Sequence, residues 1–126
     1  MIVLATAILP VVFGEKPSAI SDFHCAAERQ SICFDDAPCH SVTVPSWSNG
    51  YPRRGIYEVC DKSGCQRLQS RFTRDGAYLI VKTDGRSGEM GGRVAFAKIA
   101  PDGRFVEVTD LLTTIVVAHG RCTPVG

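Results

Sequence analysis

The residues of this chain with the clearest capacity for chemistry are its cysteines and the histidines beside them. The cysteines lie at six positions: Cys25, Cys33, Cys39, Cys60, Cys65 and Cys122. Two of them have a histidine as neighbour, in the pairs His24-Cys25 and Cys39-His40. Such ligands could hold zinc in a tetrahedral site. The cysteine spacings lack the two-residue separation that marks zinc motifs, so we predict disulfides and neither a metal nor another cofactor.

An even number of cysteines in a short chain indicates a disulfide framework, because small domains in oxidising compartments depend on one. Many pairings are open to six cysteines, so the sequence does not fix the connectivity. Proximity favours Cys60 with Cys65 and Cys33 with Cys39. That choice leaves Cys25 to join Cys122 and close most of the chain into one loop, which would contribute about 4 kcal/mol.

The first nineteen residues have the character of a secretory signal. Residues 1–14 carry no charge and are almost wholly apolar from Ile2 to Phe13, too short for a membrane span but suited to the apolar region of a signal peptide. The usual early Lys or Arg is missing, two cleavage sites are open, and a buried strand interrupted at Pro10 is the alternative. We predict a signal peptide over 1–19, a single β domain over 20–126, and a secreted or periplasmic protein with no stable membrane insertion after signal removal.

The elements that must position the cysteines are short strands. Alternating apolar and polar stretches between turn formers predict about seven of them, which is typical of a small antiparallel β-barrel or sandwich. The predicted strands are 41–44, 56–60, 66–72, 77–83, 93–99, 104–109 and 113–119. Ser21–Gln30 could form one short N-terminal helix, while 31–40 and Pro45–Gly55 are predicted as loops. The fold class is therefore mainly β and disulfide-tied.

The last third of the chain predicts a meander. Pro101 and Gly103 suit a tight turn between two strands. In the strand that follows, two valines (106 and 108) alternate with Glu107 and Thr109, the pattern of a sheet with one face on a core and the other toward water. The final strand is apolar on both faces, so we expect it to be central.

Trp47 with Tyr51, Tyr57 and the neighbouring Arg53 and Arg54 forms the best candidate for a contact surface. Aromatic and arginine side chains dominate binding hot spots because they bury much area and make directed polar contacts. Trp47 could instead pack over the barrel mouth as core, and its exposure decides between the two. The glycine-rich stretch 84–92 lacks the residues of a phosphate loop, which leaves a flexible connection or a recognition loop.

Composition and motifs argue against several classes of function. A formal charge of +1, with no basic run beyond Arg53-Arg54, gives no reason to expect nucleic acid as a partner. Cys39 and His40 lie near two aspartates, but neighbours in sequence do not make a nucleophile, base and orienting acid. We therefore expect no enzymatic activity.

The outline of an exported domain of short antiparallel strands with cysteine ties resembles the periplasmic inhibitors of C-type lysozyme. That resemblance implies a small β-barrel that inserts loops into an enzyme cleft. Ser87-Gly88 and Lys98 can be laid beside the family's serine and lysine motifs, but their aromatic and glycine companions are missing, so no functional residue is carried over. We predict an exported, non-enzymatic binding module for a protein or small ligand. The alternative is a structural or metal-binding envelope protein with Cys/His ligands.

Overall fold

The computed structural model describes residues 20–83, 94–111 and 114–125. These residues form nine β-strands: β1 (Phe23–Phe34), β2 (Ala37–Val42), β3 (Ser46–Tyr51), β4 (Ile56–Asp61), β5 (Gly64–Asp75), β6 (Tyr78–Thr83), β7 (Val94–Ile99), β8 (Arg104–Leu111) and β9 (Thr114–Pro124). A single 3₁₀ turn (Pro52–Arg54) is the helical element of the described residues, and none of their helices has the length and apolar character needed to cross a bilayer. The predicted signal peptide and the glycine-rich stretch 84–92 lie outside the described residues.

The sheet closes into a barrel through β1. One edge of β1 pairs with β9 along almost its whole length. The other edge pairs first with β3 and then with β2. All pairings are antiparallel, and β1 with β3 to β9 completes the ring. The prediction of a small, disulfide-tied antiparallel barrel or sandwich is thus confirmed as a closed barrel, with β2 as a further strand beside its rim.

The predicted N-terminal helix is wrong, because Phe23–Gln30 forms the first part of β1. Phe23 and Cys25 point inward, with 7% and 0% of their surface exposed, while His24 and Ala26 alternate with them. Pairing on both edges satisfies the backbone polar groups of this segment, which an isolated short helix could not stabilise by itself. The apolar spacing that resembled a helical stripe is therefore a strand pattern.

Two predicted loops are also strands, which raises the strand number from about seven to nine. The stretch 31–40 holds the end of β1 and most of β2, and Pro45–Gly55 contains β3. β3 was hard to predict because it has few residues with high β-propensity. Its Gly50 is required by packing, since a Cβ there would overlap the ring of Phe23.

The barrel interior holds one apolar core. Three rings meet in it: Phe23, Tyr57 and Phe72 have centroids 6.2 to 6.5 Å apart, with tilted or edge-on planes. Leu68 and Phe72 share the inner face of β5. The core members of this cluster are Phe23, Cys25, Tyr57, Val59, Leu68, Phe72, Leu79, Val81, Ala95, Ala97, Ile99 and Phe105.

The two faces of β8 are the reverse of the predicted ones. Glu107 and Thr109 are 5% and 2% exposed inside the barrel, while Val106 and Val108 lie partly buried on the outside. The alternation was correct, but the Glu107 carboxylate has hydrogen-bond donors inside the barrel. The predicted turn before β8 and the central position of β9 are both confirmed: Gly103 has φ 95°, and β9 pairs with β8 and β1.

Three disulfides join the strands, in the pairs that sequence proximity favours: Cys25–Cys122, Cys33–Cys39 and Cys60–Cys65. The first bonds directly opposed residues of β1 and β9. The third bonds opposed residues of β4 and β5. The cross-links therefore fix the closing seam of the barrel and one of its hairpins.

Candidate functional site

The predicted contact residues Trp47, Tyr51, Arg53 and Arg54, named here the aromatic–arginine surface, lie on β3 and on the turn that follows it. Trp47 and Tyr51 are partly buried on the face of β3 opposite the inward Ser48 and Gly50. Trp47 is therefore outside the barrel core. The prediction of Tyr57 as a contact residue is wrong, because its side chain points into the core and is completely buried. The exposed Arg54 brings its Cζ to 4.5 Å from the ring centre of Tyr51, a cation–π distance. Tyr51 is thus in contact with Arg54, and Trp47 lies further along β3.

A hydrogen-bond network holds this surface in place. His24 Nδ1 donates to Asn49 Oδ1 at 2.8 Å, and Asn49 Nδ2 donates to Glu58 Oε1 at 3.1 Å. The Tyr51 hydroxyl donates to the same Glu58 oxygen at 3.3 Å, and Arg67 pairs with Glu58 at 3.4 Å. Burial, followed by the charge of Glu58, raises the pKa of Tyr51, so the hydroxyl keeps the proton that it donates.

The two arginines stand on an anchored turn. Pro52 is buried at its start, and the N–H of Gly55 donates to the Pro52 carbonyl at 3.1 Å. Gly55 has φ 66°, a left-handed conformation that glycine adopts without strain. Its carbonyl accepts from the Ser70 N–H at 2.8 Å, which ties the turn to β5. The arginine backbone is therefore positioned before any partner arrives.

A basic cleft borders this turn, with a volume of about 480 Å³. It is lined by Arg54, Gly55, Gln69, Ser70, Arg71, Lys82 and Thr83. Its three charged members are all cations, and Arg71 lies directly opposite Lys82 across β5 and β6. Like charges directly opposite each other across two strands repel, so this pair does not stabilise the hairpin and concentrates positive charge at the cleft. The cleft could not be predicted from the sequence, because the register of the β5–β6 hairpin, and not proximity in the chain, brings its cations together.

The cysteines that the metal-binding alternative requires as ligands are oxidised. All six cysteine sulfurs are bonded in disulfides, so Cys25 and Cys39 offer no thiolate to zinc. Among the described residues, ligand atoms of Glu58, Cys60 and Cys65 lie within 4.8 Å of one another. Two of those three atoms are joined to each other, which leaves one carboxylate.

A polar cluster inside the barrel is the feature that the sequence analysis placed on the wrong face. Ser48 Oγ donates to Glu107 Oε2 at 2.6 Å, and the Tyr57 hydroxyl donates to the same oxygen at 2.5 Å. Complete burial, and then the Glu107 carboxylate, raises the pKa of Tyr57 well above its usual value. The alternation of β8 places Glu107 and Thr109 on one face of the strand, but it does not show whether that face points into the barrel. The sequence alone could therefore not identify Glu107 as an inward carboxylate.

Comparison with protein-family models, curated proteins and solved structures finds no match. We therefore infer function from the geometry and charge of the chain itself.

The raised pKa of Tyr57 predicts a loss of stability in alkali. An unfolded tyrosine loses its proton near pH 10, whereas folded Tyr57 keeps its proton to higher pH. Above about pH 10 the folded state then binds more protons than the unfolded state, so the free energy of unfolding falls by about 1.4 kcal/mol per pH unit. Urea unfolding between pH 8 and 11.5 measures this slope. The stability of Tyr57→Phe should depend less on pH above pH 10, whereas Tyr78→Phe, which removes the hydroxyl of an exposed tyrosine, should retain the slope; an unchanged slope in Tyr57→Phe would contradict the assignment.

Proposed function

We propose that the protein is an exported, non-enzymatic binding module, similar in action to an inhibitor, that binds an acidic surface of a partner protein. The observation that carries this proposal is the basic cleft, where Arg71 and Lys82 face each other beside Arg54. The aromatic–arginine surface next to it supplies the rest of the contact.

Export is supported by the disulfides. Three intramolecular disulfides in a small β-barrel are typical of extracellular and periplasmic proteins, because reducing compartments keep thiols free. Such a scaffold holds its surface residues rigid, so little conformational freedom is lost when a partner binds.

The local positive charge of the cleft favours an acidic partner. The chain as a whole has a formal charge of only +1, so the concentration of cations in the cleft is a local feature. Glu58 does not offset it, because Glu58 is paired with Arg67 and neither residue lines the cleft. A carboxylate entering the cleft would relieve the repulsion between Arg71 and Lys82 and could make bidentate bonds to an arginine.

An enzyme cleft is one acidic surface that fits. Glycoside hydrolases carry paired carboxylates at their catalytic centre, and a protruding arginine on a rigid turn could reach such a pair. This supports the inhibitor-like form of the proposal. We propose no structural or metal-binding role, because the cysteines that would serve as ligands are oxidised.

The test compares two lysine variants with the same change of charge. Lys82→Glu reverses a charge in the cleft, whereas Lys62→Glu reverses one in the exposed turn between β4 and β5, away from the cleft. Binding is measured by surface plasmon resonance against purified C-type lysozymes and against partners isolated from envelope extract. We expect Lys82→Glu to weaken binding at least about tenfold and Lys62→Glu to leave it unchanged.

The role of the neighbouring surface is tested by Trp47→Ala in the same assay, with circular dichroism to confirm that each variant is folded. Loss of binding in both Trp47→Ala and Lys82→Glu supports one continuous contact. Loss in Trp47→Ala alone would place the contact on β3 and overturn the role of the cleft. Absence of any captured partner, or a partner insensitive to every variant, would overturn the proposed function.

A further inference from the structure

A second cleft with several cations lies on the outer face of the barrel beside the β1–β9 seam, and its volume is about 430 Å³. We name it the seam cleft and define it by Arg29, Lys98, Arg104 and Arg121. These residues come from four strands that are consecutive in the ring: β1, β7, β8 and β9. The seam cleft shares no lining residue with the basic cleft, and its size is within the range of small-ligand sites.

We propose that the seam cleft binds an acidic glycan, a sugar that carries sulfate or phosphate esters, and that its arginines hold the ester groups. This surface differs from the protein contact proposed above, and the proposal does not depend on that contact.

The strand register brings the cations together. Arg104 lies directly opposite Arg121 across β8 and β9, and Arg29 lies directly opposite His119 across β1 and β9. All four of these residues are exposed. Like charges at opposed positions repel, so the pair of Arg104 and Arg121 does not stabilise the sheet. An anionic ester between the two guanidinium groups would replace this repulsion with attraction.

The arginines have hydrogen-bond donors left for a ligand. Within the described residues, Arg29 and Arg121 make no salt bridge, although Asp102 attracts Arg121 electrostatically. Arg104 pairs with Asp102 through its Nε at 2.8 Å, so its two terminal nitrogens lie outside that pair. The planar fork of a guanidinium group matches two oxygens of a sulfate or phosphate ester.

The seam cleft stays positive after its carboxylates are counted. Of the described residues that line it, Glu28 is the acidic one, and Asp102 stands beside Arg104. Two carboxylates therefore accompany four cations. The ammonium of Lys98 lies 4.5 Å from the ring centre of Tyr78, a cation–π contact that positions the side chain and leaves its charge unneutralised. An anion is therefore attracted to the cleft.

The other polar groups of the seam cleft suit the hydroxyls of a sugar. Glu28 can accept hydrogen bonds, and the Tyr78 hydroxyl and the His119 imidazole can each donate or accept. Tyr78 is 41% exposed, so its hydroxyl is accessible to a ligand. A ligand that combines ester anions with hydroxyl groups uses all of these side chains, whereas a bare polyphosphate would use the cations alone.

A lipid surface is a less suitable partner for this face. Exposed apolar side chains, Val94, Phe96 and Ile115, do lie on the same strands. However, the exposed Asp110 is directly opposite both Val94 and Ile115. Insertion of these side chains into a bilayer would also bury that carboxylate, which is costly. We therefore favour the glycan and include a lipid surface in the test.

The test titrates the full, oxidised protein with a heparin-derived tetrasaccharide and with the same tetrasaccharide after removal of its sulfates. Amide chemical shifts and calorimetry follow the binding. We expect the sulfated form to bind and to shift the amides of Val106, His119 and Gly120, which line the cleft. The desulfated form should bind at least about tenfold more weakly. Glucose 6-sulfate and glucose 6-phosphate are then each compared with glucose, and the ester that binds more strongly identifies the class of glycan.

Variants locate the site. Arg121→Gln removes one charge from the seam cleft, and we expect the sulfated tetrasaccharide to bind at least about fivefold more weakly. The change also removes a repulsion with Arg104, so the variant should be folded and no less stable in urea. Arg29→Gln makes the same change on β1 and should have a similar effect. The control is Lys82→Glu in the basic cleft, which alters the net charge more than either arginine variant and should change the affinity less than about twofold.

Five results would overturn the proposal: no binding of the sulfated tetrasaccharide, equal binding of its desulfated form, neither glucose ester binding more strongly than glucose, a larger loss in Lys82→Glu than in both arginine variants, or binding only to vesicles of phosphatidylglycerol and phosphatidylcholine. The fourth result would show attraction to the net charge alone. Arg121→Gln should leave the binding of the protein partner unchanged, so failure of the seam cleft and failure of the basic cleft are distinguishable.

Discussion

Replacing Cys25 and Cys122 together with alanine should lower the free energy of unfolding by about 4 kcal/mol, the largest effect we expect. These residues are 97 positions apart and bond across the seam between β1 and β9. In the chain-entropy description, a cross-link that closes a long loop strongly restricts the conformations of the unfolded state. Removing the cross-link restores that conformational entropy and so stabilises the unfolded state. Cys25 is also completely buried, so the variant leaves a gap in the core.

The matched control is Cys33→Ala with Cys39→Ala. That bond spans only six positions and closes the hairpin of β1 and β2, beside the barrel ring. We expect a loss of about 2 kcal/mol from this shorter loop. Urea unfolding of both double variants, with no reductant, measures the difference. Equal losses would contradict a stabilisation that depends on loop length and on the seam.

Gly120→Ala should cost about 3 kcal/mol, because no space exists for a side chain at this point of the seam. An added Cβ would overlap the carbonyl oxygen of Ala26 and would lie 2.9 Å from a ring carbon of Phe105. The carbonyl belongs to the backbone of β1, so relief requires the two strands to separate. We expect weaker protection of the β1 and β9 amides from hydrogen exchange as well as lower stability.

Gly76→Ala is the control that separates the cost of a steric overlap from the cost of a left-handed backbone conformation. Gly76 has φ 63°, and nothing lies within 4 Å of its added Cβ, so the cost is the left-handed backbone alone, about 1 kcal/mol. Both variants stiffen the unfolded chain equally, and that contribution cancels between them. A larger loss at Gly76 than at Gly120 would show that the seam can open to admit a methyl group.

The features that the sequence predicts well are local. Pro101 and Gly103 determine their turn within a few residues, and the apolar run of β9 is central because both its faces must be covered. Proximity in the chain predicts the two short-range disulfides, and Cys25 and Cys122 are then the two cysteines left to form the third. A closed barrel is the natural result of short strands in series, since closure removes unpaired edges.

The features that it predicts poorly depend on distant partners. β1 resembles a helix until β9 and β3 are known to pair with it. Glu107 looks like a surface residue until Ser48 and Tyr57, which are 59 and 50 positions away, donate to it. Alternation gives the two faces of a strand, but only the tertiary fold determines which one is inside.

The candidate sites also differ in whether local sequence or distant partners determine them. Trp47, Tyr51, Arg53 and Arg54 are close in sequence, so their grouping could be predicted, and Tyr51 and Arg54 are in direct contact. The facing of Arg71 and Lys82 requires the register of a hairpin.

The seam between β1 and β9 also sets the order of events during folding. β1 is made before all the other described strands, yet the partner for its longest edge is β9, the last of them. Contacts between such distant segments form slowly, because the loop entropy must be lost before the pairing is gained. Until β9 arrives, β1 has an open edge, the kind that pairs with other chains. We therefore expect the pairing of β1 with β9 to be the slow step of folding, and the edge of β1 to be exposed to other chains until that pairing forms.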